Sequence, residues 1–270
     1  MADTAQNAAT TENMLLREDR DGIAWLTLNR PEAFNSLSTD LMTCVQEELA
    51  RLAEDASVRV IVIAGSGRGF CAGHDLHQVR GLQGDPEASK ALLTQCSAMM
   101  QAVVNHPKPV IARVHGIATA AGCQLVASCD LAVAEDGARF GTPGVNIGLF
   151  CHTPMVALSR NVSRKHAMEM LLTGEMVDCD DAIRFGLINK AVPTAELDDT
   201  VMALARRIAS KSAYTLKVGK RAFYEQLQQP TLNDAYEYAS QVMLENLAAR
   251  DAEEGIQAFI EKRNPVWEDR

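Results

Sequence analysis

Two runs rich in valine and isoleucine, Val58–Ala64 and Pro109–Val114, constrain this chain most. Neither alternates apolar with polar residues, so each predicts a strand buried on both faces, as in a parallel sheet covered by helices. A small-residue loop follows each run: Gly65-Ser66-Gly67-Arg68-Gly69 breaks the first, and Gly116 ends the second. Helical spacing fills the intervals. Leu41, Val45, Leu49 and Leu52 mark a helix within 37–55, and Pro86–His106 predicts another, stopped by Pro107-Lys108-Pro109. Ala120–Cys129 predicts a small-residue helix and Leu131–Ala134 a third strand. This alternation implies a layered α/β fold with short crossovers.

The flanking segments complete the organisation. Met14–Glu18 and Ile23–Asn29 predict a hairpin across the turn residues Asp19-Arg20-Asp21-Gly22. From Pro154 onward the pattern is mostly helical. Ser163 is the expected N-cap of a helix over Arg164–Leu172, with Gly174 as its stop. Further helices are expected over Leu197–Ser210, Ala213–Gln228, Leu232–Arg250 and Ala252–Arg263. The division expected is a disordered tail over 1–12, an α/β core over 13–205 and a helical C-terminal region over 206–270.

Composition narrows the partners. The hydrophobic share of 47% over 270 residues suffices for a core without staples. A net charge of −9 argues against nucleic acid, whose binders usually carry a basic face. No apolar run reaches the roughly 20 residues a membrane span needs. Met1–Glu12 lacks the pattern of a secretory signal and the Arg-rich amphipathic pattern of a mitochondrial presequence. The seven cysteines are odd in number and form no C-x-x-C pair. They predict reduced, mostly buried thiols, no metal site and a cytoplasmic compartment.

Two segments carry the chemistry. One is Gly69-Phe70-Cys71-Ala72-Gly73-His74-Asp75-Leu76; the other runs from His115-Gly116 through Ala120-Ala121-Gly122-Cys123-Gln124. Each combines a strand end, small residues and an expected helix start. The first N–H groups of a helix lack internal partners, and small residues let a ligand approach the backbone. Two such N–H groups from adjacent loops form an oxyanion hole, where losing one donor typically costs about 2.7–4 kcal/mol of transition-state stabilisation. For either loop alone, the plainer reading is tight packing of a helix on a sheet.

Taken together, these segments resemble the enoyl-CoA hydratase/isomerase (crotonase) family. Asn29-Arg30-Pro31 through Leu37, Phe140-Gly141-Thr142-Pro143, Thr173-Gly174-Glu175, Ala182 through Gly186-Leu187, Val192-Pro193 and Glu254-Gly255 through Lys262-Arg263 continue the likeness in order over nearly the whole chain. The resemblance implies a crotonase-like β/α spiral core with a helical C-terminal extension. It also implies an acyl-CoA thioester held by the backbone N–H groups of His74 and Ala121, and no cofactor beyond the coenzyme A of the substrate. Ala72, Asp75 and Leu76 match the loop that lines the adenine pocket, and Phe259 and Lys262 match CoA contacts near a subunit boundary. The implied assembly is a trimer or dimer of trimers.

The departures bear on the reaction. Family hydratases use two glutamates to activate water, and the matching positions here are Gln124 and Gly144. An amide is no useful general base and glycine has no side chain, whereas acid–base groups typically contribute about 10²–10⁴-fold. Standard hydration is therefore not expected. His152 matches a position where other members carry a catalytic aspartate, and Cys151 adjoins it; either type can move a proton near neutral pH. The alternative is that Cys151 is a small apolar wall and His152 packs at a helix start, with the His74 side chain lining the pocket. A non-catalytic acyl-CoA-binding protein is the rival to an enzyme.

Overall fold

Burial on both faces puts the two valine–isoleucine runs side by side at the centre of one sheet. A computed structural model describes residues 14–270, so the tail expected over 1–12 lies outside the described residues. In chain order the core comprises β1 (Leu15–Arg20), β2 (Ile23–Leu28), α1 (Thr39–Glu54), β3 (Val60–Gly65), α2 (Leu76–Gly81), α3 (Pro86–Val104), β4 (Val110–Val114), β5 (Ile117–Thr119), α4 (Ala121–Ser128), β6 (Leu131–Glu135) and β7 (Arg139–Gly141). A 3₁₀ turn over Pro143–Ile147 follows, then α5 (Pro154–Asn161), α6 (Arg164–Thr173), α7 (Cys179–Phe185), β8 (Lys190–Val192) and α8 (Leu197–Ala209). The C-terminal helices are α9 (Ala213–Gln226), α10 (Leu232–Leu247) and α11 (Arg250–Glu261).

The main sheet has the order β1-β2-β3-β4-β6-β8 and is parallel except for the β1–β2 hairpin. Strand β3 shows why the run carries no polar alternation. Ile61 and Ile63 face a large core shared with α1, α3 and α4, while Val60, Val62 and Ala64 face Leu197, Val201, Met202 and Ala205 of α8. Each valine, leucine, isoleucine and methionine among these contributes roughly 1.5–3 kcal/mol through burial. A second, two-stranded parallel sheet pairs β5 with β7.

The C-terminal helices are held to the core by polar anchors. The Lys220 ammonium of α9 lies 2.7 Å from Asp130 and donates to the carbonyls of Val103 and Lys108, and the Tyr224 hydroxyl donates to Asp130. Beyond that seam α10 and α11 present apolar side chains outward, among them Leu232, Tyr236, Leu244, Ile256 and Phe259. Six of the seven cysteines are buried and Cys44 is partly so.

Ser163 and Gly174 stand at the N-cap and C-cap of α6 as expected, Gly174 at φ +65°, although the Ser163 side chain makes no capping hydrogen bond. His106 and His115 each have a polar partner. His106 Nε2 lies 3.0 Å from the Leu49 carbonyl, and His115 is bracketed by Arg113 at 2.8 Å and the Gly67 carbonyl at 3.0 Å.

Candidate active site

The loop after β3 is fixed from behind by Asn35. This residue is fully buried at φ +54°, a conformation asparagine tolerates better than most residues. Its amide donates to the carbonyls of Ser66 and Gly69, each at 2.8 Å, and its Oδ1 accepts from the Arg30 N–H. The loop is then zipped to β5. The N–H groups of Phe70 and Cys71 donate to the Ile117 carbonyl, the Thr119 N–H donates to the Cys71 carbonyl, and the Thr119 hydroxyl donates to the Ala72 carbonyl.

This zipper brings the two loops into contact at one point. Gly73 adopts φ +94°, and a Cβ there would lie 3.2 Å from the Ala121 nitrogen and 2.9 Å from the Ala120 Cβ. Only a hydrogen fits. At Gly122 a Cβ would sit 2.0 Å from the Cys71 carbonyl oxygen, so the first turn of α4 also needs glycine to seat against the loop. Ala120 precedes that turn at φ +49°, ψ −117°, an unfavourable backbone conformation for a residue with a Cβ.

Among the described residues, the N–H groups of His74 and Ala121 have no hydrogen-bond partner, while the adjacent Asp75 N–H donates to the Leu37 carbonyl. Ala121 opens α4, where first-turn N–H groups are free by construction. Two free donors on abutting loops form the arrangement that binds a carbonyl oxygen acquiring negative charge.

Several polar side chains on these segments lack partners. Both ring nitrogens of His74 are shielded from solvent without a hydrogen bond, and burial pushes its pKa below the ordinary value, the Leu37 backbone opposing. Gln124 is buried with its Oε1 unpartnered, and Thr142 is buried with its hydroxyl unpartnered. At Gly144 a Cβ would lie 2.4 Å from the Leu149 carbonyl and 2.9 Å from the Cys151 sulfur. Backbone thus occupies the space a side chain would need. Burial raises the Cys151 thiol pKa, the Gly144 backbone opposing, so the thiol stays protonated near neutral pH and is no ready thiolate. His152 is exposed, with its ring 5.2 Å from that of Phe150.

The remaining expected contacts are placed as follows. Asp75 caps α2 by accepting from the His77 and Gln78 N–H groups and pairs with Arg30 at 2.9 Å. Arg30, more than any other group, holds its carboxyl below the usual range. The Ala72 carbonyl is engaged by Thr119, and Leu76 is exposed at the start of α2. Phe259 is 85% exposed and Lys262 ends α11 in the left-handed region. Thr142 and Asn35 lie in the quoted motifs, but only the structure distinguishes them by their hydrogen bonding.

Comparison with known proteins accounts for this geometry. The model of the family described as enoyl-CoA hydratase/isomerase matches residues 18–270. Enoyl-CoA hydratase domain-containing protein 3, mitochondrial, of Rattus norvegicus is 48% identical over 92% of this chain and 82% of its own length. Its Homo sapiens counterpart is 49% identical over 92% of this chain and 81% of its own length. The crystal structure of the human protein superposes with a TM-score of 0.91 at 47% identity, covering 94% of this chain and 100% of that one. A crystal structure of enoyl-CoA hydratase from Mycobacterium smegmatis also gives 0.91, at 50% identity and 94% and 98% coverage. The mitochondrial proteins contradict the cytoplasmic compartment expected from the cysteines: reduced, buried thiols are equally compatible with another reducing compartment. The matched loops, sheet order and C-terminal helices together place this chain in the enoyl-CoA hydratase/isomerase family, with the α/β crotonase fold.

Proposed function

We propose that this protein binds an acyl-CoA by its thioester and stabilises the derived enolate through the N–H groups of His74 and Ala121. The observation that carries the proposal is the pair of free donors on loops that abut at Gly73. Negative charge that develops on the thioester oxygen is met by donors already in place, which costs no reorganisation at the moment of reaction. Proton movement is assigned to His152 rather than Cys151, because burial keeps that thiol protonated. Standard two-glutamate hydration is not part of this reading, since Gln124 is neutral and Gly144 has neither a side chain nor room for one.

Coenzyme A contacts by Ala72, Leu76, Phe259 and Lys262 belong to the proposal, as does a trimer or dimer of trimers that covers the apolar faces of α10 and α11. Sedimentation as a monomer would contradict that assembly.

The same arrangement supports a second reading, non-catalytic acyl-CoA binding, favoured by the absence of a carboxylate at Gln124 and Gly144. Incubation with butyryl-CoA in deuterated water separates the two. Exchange at the α-carbon, lost in His152→Ala without weaker binding, is expected for an enzyme. Tight binding with no exchange leaves the binder. With crotonyl-CoA, rapid addition of water by the unaltered protein would contradict the account of Gln124 and Gly144.

A further inference from the structure

Ala120 holds a backbone conformation that suits glycine. At φ +49° and ψ −117° it lies outside the left-handed region, whereas Phe34 and Lys262, also at positive φ, both sit inside it with ψ 39°. Glycine reaches this part of backbone space freely, and a residue with a Cβ does not. Nearby, the chain does place glycine at positive φ, at Gly73 and Gly116. Alanine at position 120 is therefore strained where glycine would relax, and such strain persists only where the surroundings over-determine it. Here they do. The Ala120 N–H donates to the Gly141 carbonyl of β7 at 2.9 Å, and its carbonyl accepts the Gln124 N–H of α4 at 3.0 Å. Thr119, just before it, bonds the Cys71 and Ala72 carbonyls of the first loop, and Ala121, just after it, carries one of the two free donors.

The place of the methyl shows what the strain maintains. A Cβ built on Gly73 would lie 2.9 Å from the Ala120 Cβ and 3.2 Å from the Ala121 nitrogen. The Ala120 methyl is thus the side-chain atom that stands against the Gly73 backbone, one residue before the His74 N–H. Gly73 is also anchored through its carbonyl, which accepts the Leu37 N–H at 2.7 Å, and the Asp75 N–H returns to the Leu37 carbonyl at 3.2 Å. The loop that bears His74 is held by Leu37 through hydrogen bonds and by Ala120 through contact.

We propose that Ala120 is a positioning residue, whose methyl, kept in place despite backbone strain, sets the separation of the His74 and Ala121 N–H groups. This rests on the thioester-binding reading above and adds to it a residue that acts through the two donors. An oxyanion hole works when both donors stand about 2.7–3.1 Å from the oxygen, so a spacer of one methyl decides whether both bonds form. With glycine at this position the backbone would relax, and the two loops would lose the contact that fixes their gap.

Two substitutions in the full chain test the spacer. Ala120→Gly removes the methyl and the strain together, and Ala120→Ser keeps the Cβ. Ala120→Gly should raise the melting temperature by about 2–4 °C, because relieved strain stabilises the fold. Saturating butyryl-CoA, labelled with ¹³C at the thioester carbon, supplies the second readout. The downfield movement of its carbonyl resonance on binding should be clearly smaller in Ala120→Gly than in the unaltered protein, and should be retained in Ala120→Ser. A merely structural alanine would leave the carbonyl resonance where the unaltered protein puts it. Equal movement in Ala120→Gly and the unaltered protein therefore overturns the proposal while leaving the thioester reading intact. Loss of the movement in Ala120→Ser as well overturns the assignment to the methyl, and a lower melting temperature in Ala120→Gly overturns the assignment of strain. A resonance that stays at its free position in the unaltered protein overturns the thioester reading, and this proposal with it.

Discussion

The loop pair at Gly73 and the segment from Thr142 to Gly144 lie side by side, yet they differ in what they leave without a partner: backbone donors appear in the first, and side-chain oxygens in the second. In the first, Asn35, Thr119, Arg30 and Asp75 are all engaged, while the His74 ring and the backbone N–H groups of His74 and Ala121 lack partners. In the second, the Thr142 hydroxyl and the Gln124 oxygen are buried without partners, and Gly144 is packed against backbone. In the function proposed above, the first region meets the charge that develops on a thioester oxygen. On the same reading the second offers no carboxylate at Gln124 or Gly144 to act on water. The electrostatic half of such a site depends on backbone geometry and the acid–base half on side chains, so one can change without the other.

The largest effect should come from breaking the first region. Gly73→Ala forces a methyl to within 3.2 Å of the Ala121 nitrogen at a positive φ. Any α-carbon exchange activity should fall about 10²–10³-fold, the typical loss for one oxyanion donor, in protein that circular dichroism shows to be folded. An unchanged rate would remove the donor pair from the mechanism.

Gly144→Ala is the matching change in the second region. Its Cβ would lie 2.4 Å from the Leu149 carbonyl, so the backbone must move. Chemical denaturation should show a loss of about 1–3 kcal/mol, the usual penalty for overpacking. Restoring a glutamate here would then disturb the backbone as well as add a carboxylate, and Gln124→Glu alone is the cleaner probe. Full stability in Gly144→Ala would show that the space can open.

A smaller effect sharpens the contrast through pH. Arg30 holds the folded-state pKa of Asp75 below its ordinary value. The resulting stabilisation is present above the unfolded-state pKa and is lost as pH falls through the depressed folded-state value. Asp75→Asn keeps a capping side chain but removes the charge, so it should cost about 1–2 kcal/mol near neutral pH. Melting curves from pH 7 downward should converge as the carboxylate of the unaltered protein takes up its proton. A constant gap across that range would mean that the ion pair is not its source.

The sequence exposed much of this frame for a physical reason. Val58–Ala64 and Pro109–Val114 are apolar without alternation because their strands contact helices on both faces, and the structure places β3 and β4 within those limits or one residue away. The short strands β5, β7 and β8 were not legible, since three residues carry no periodicity and exist through pairing with distant partners. Helices α2, α5 and α7 are also too short for a clear pattern. The likeness to a family supplied the Gly73–His74 and Ala121 pairing; for either loop alone, tight packing was the plainer reading. Thr142 was visible only as part of a motif, because no residue pattern reveals that a buried hydroxyl has no partner.

The most direct test of the central claim is the carbonyl ¹³C resonance of butyryl-CoA labelled at the thioester carbon. On binding to the unaltered protein it should move downfield as the two N–H groups polarise the carbonyl, and in Gly73→Ala the shift should shrink or vanish. A bound thioester whose carbonyl resonance stays at its free position would contradict the account.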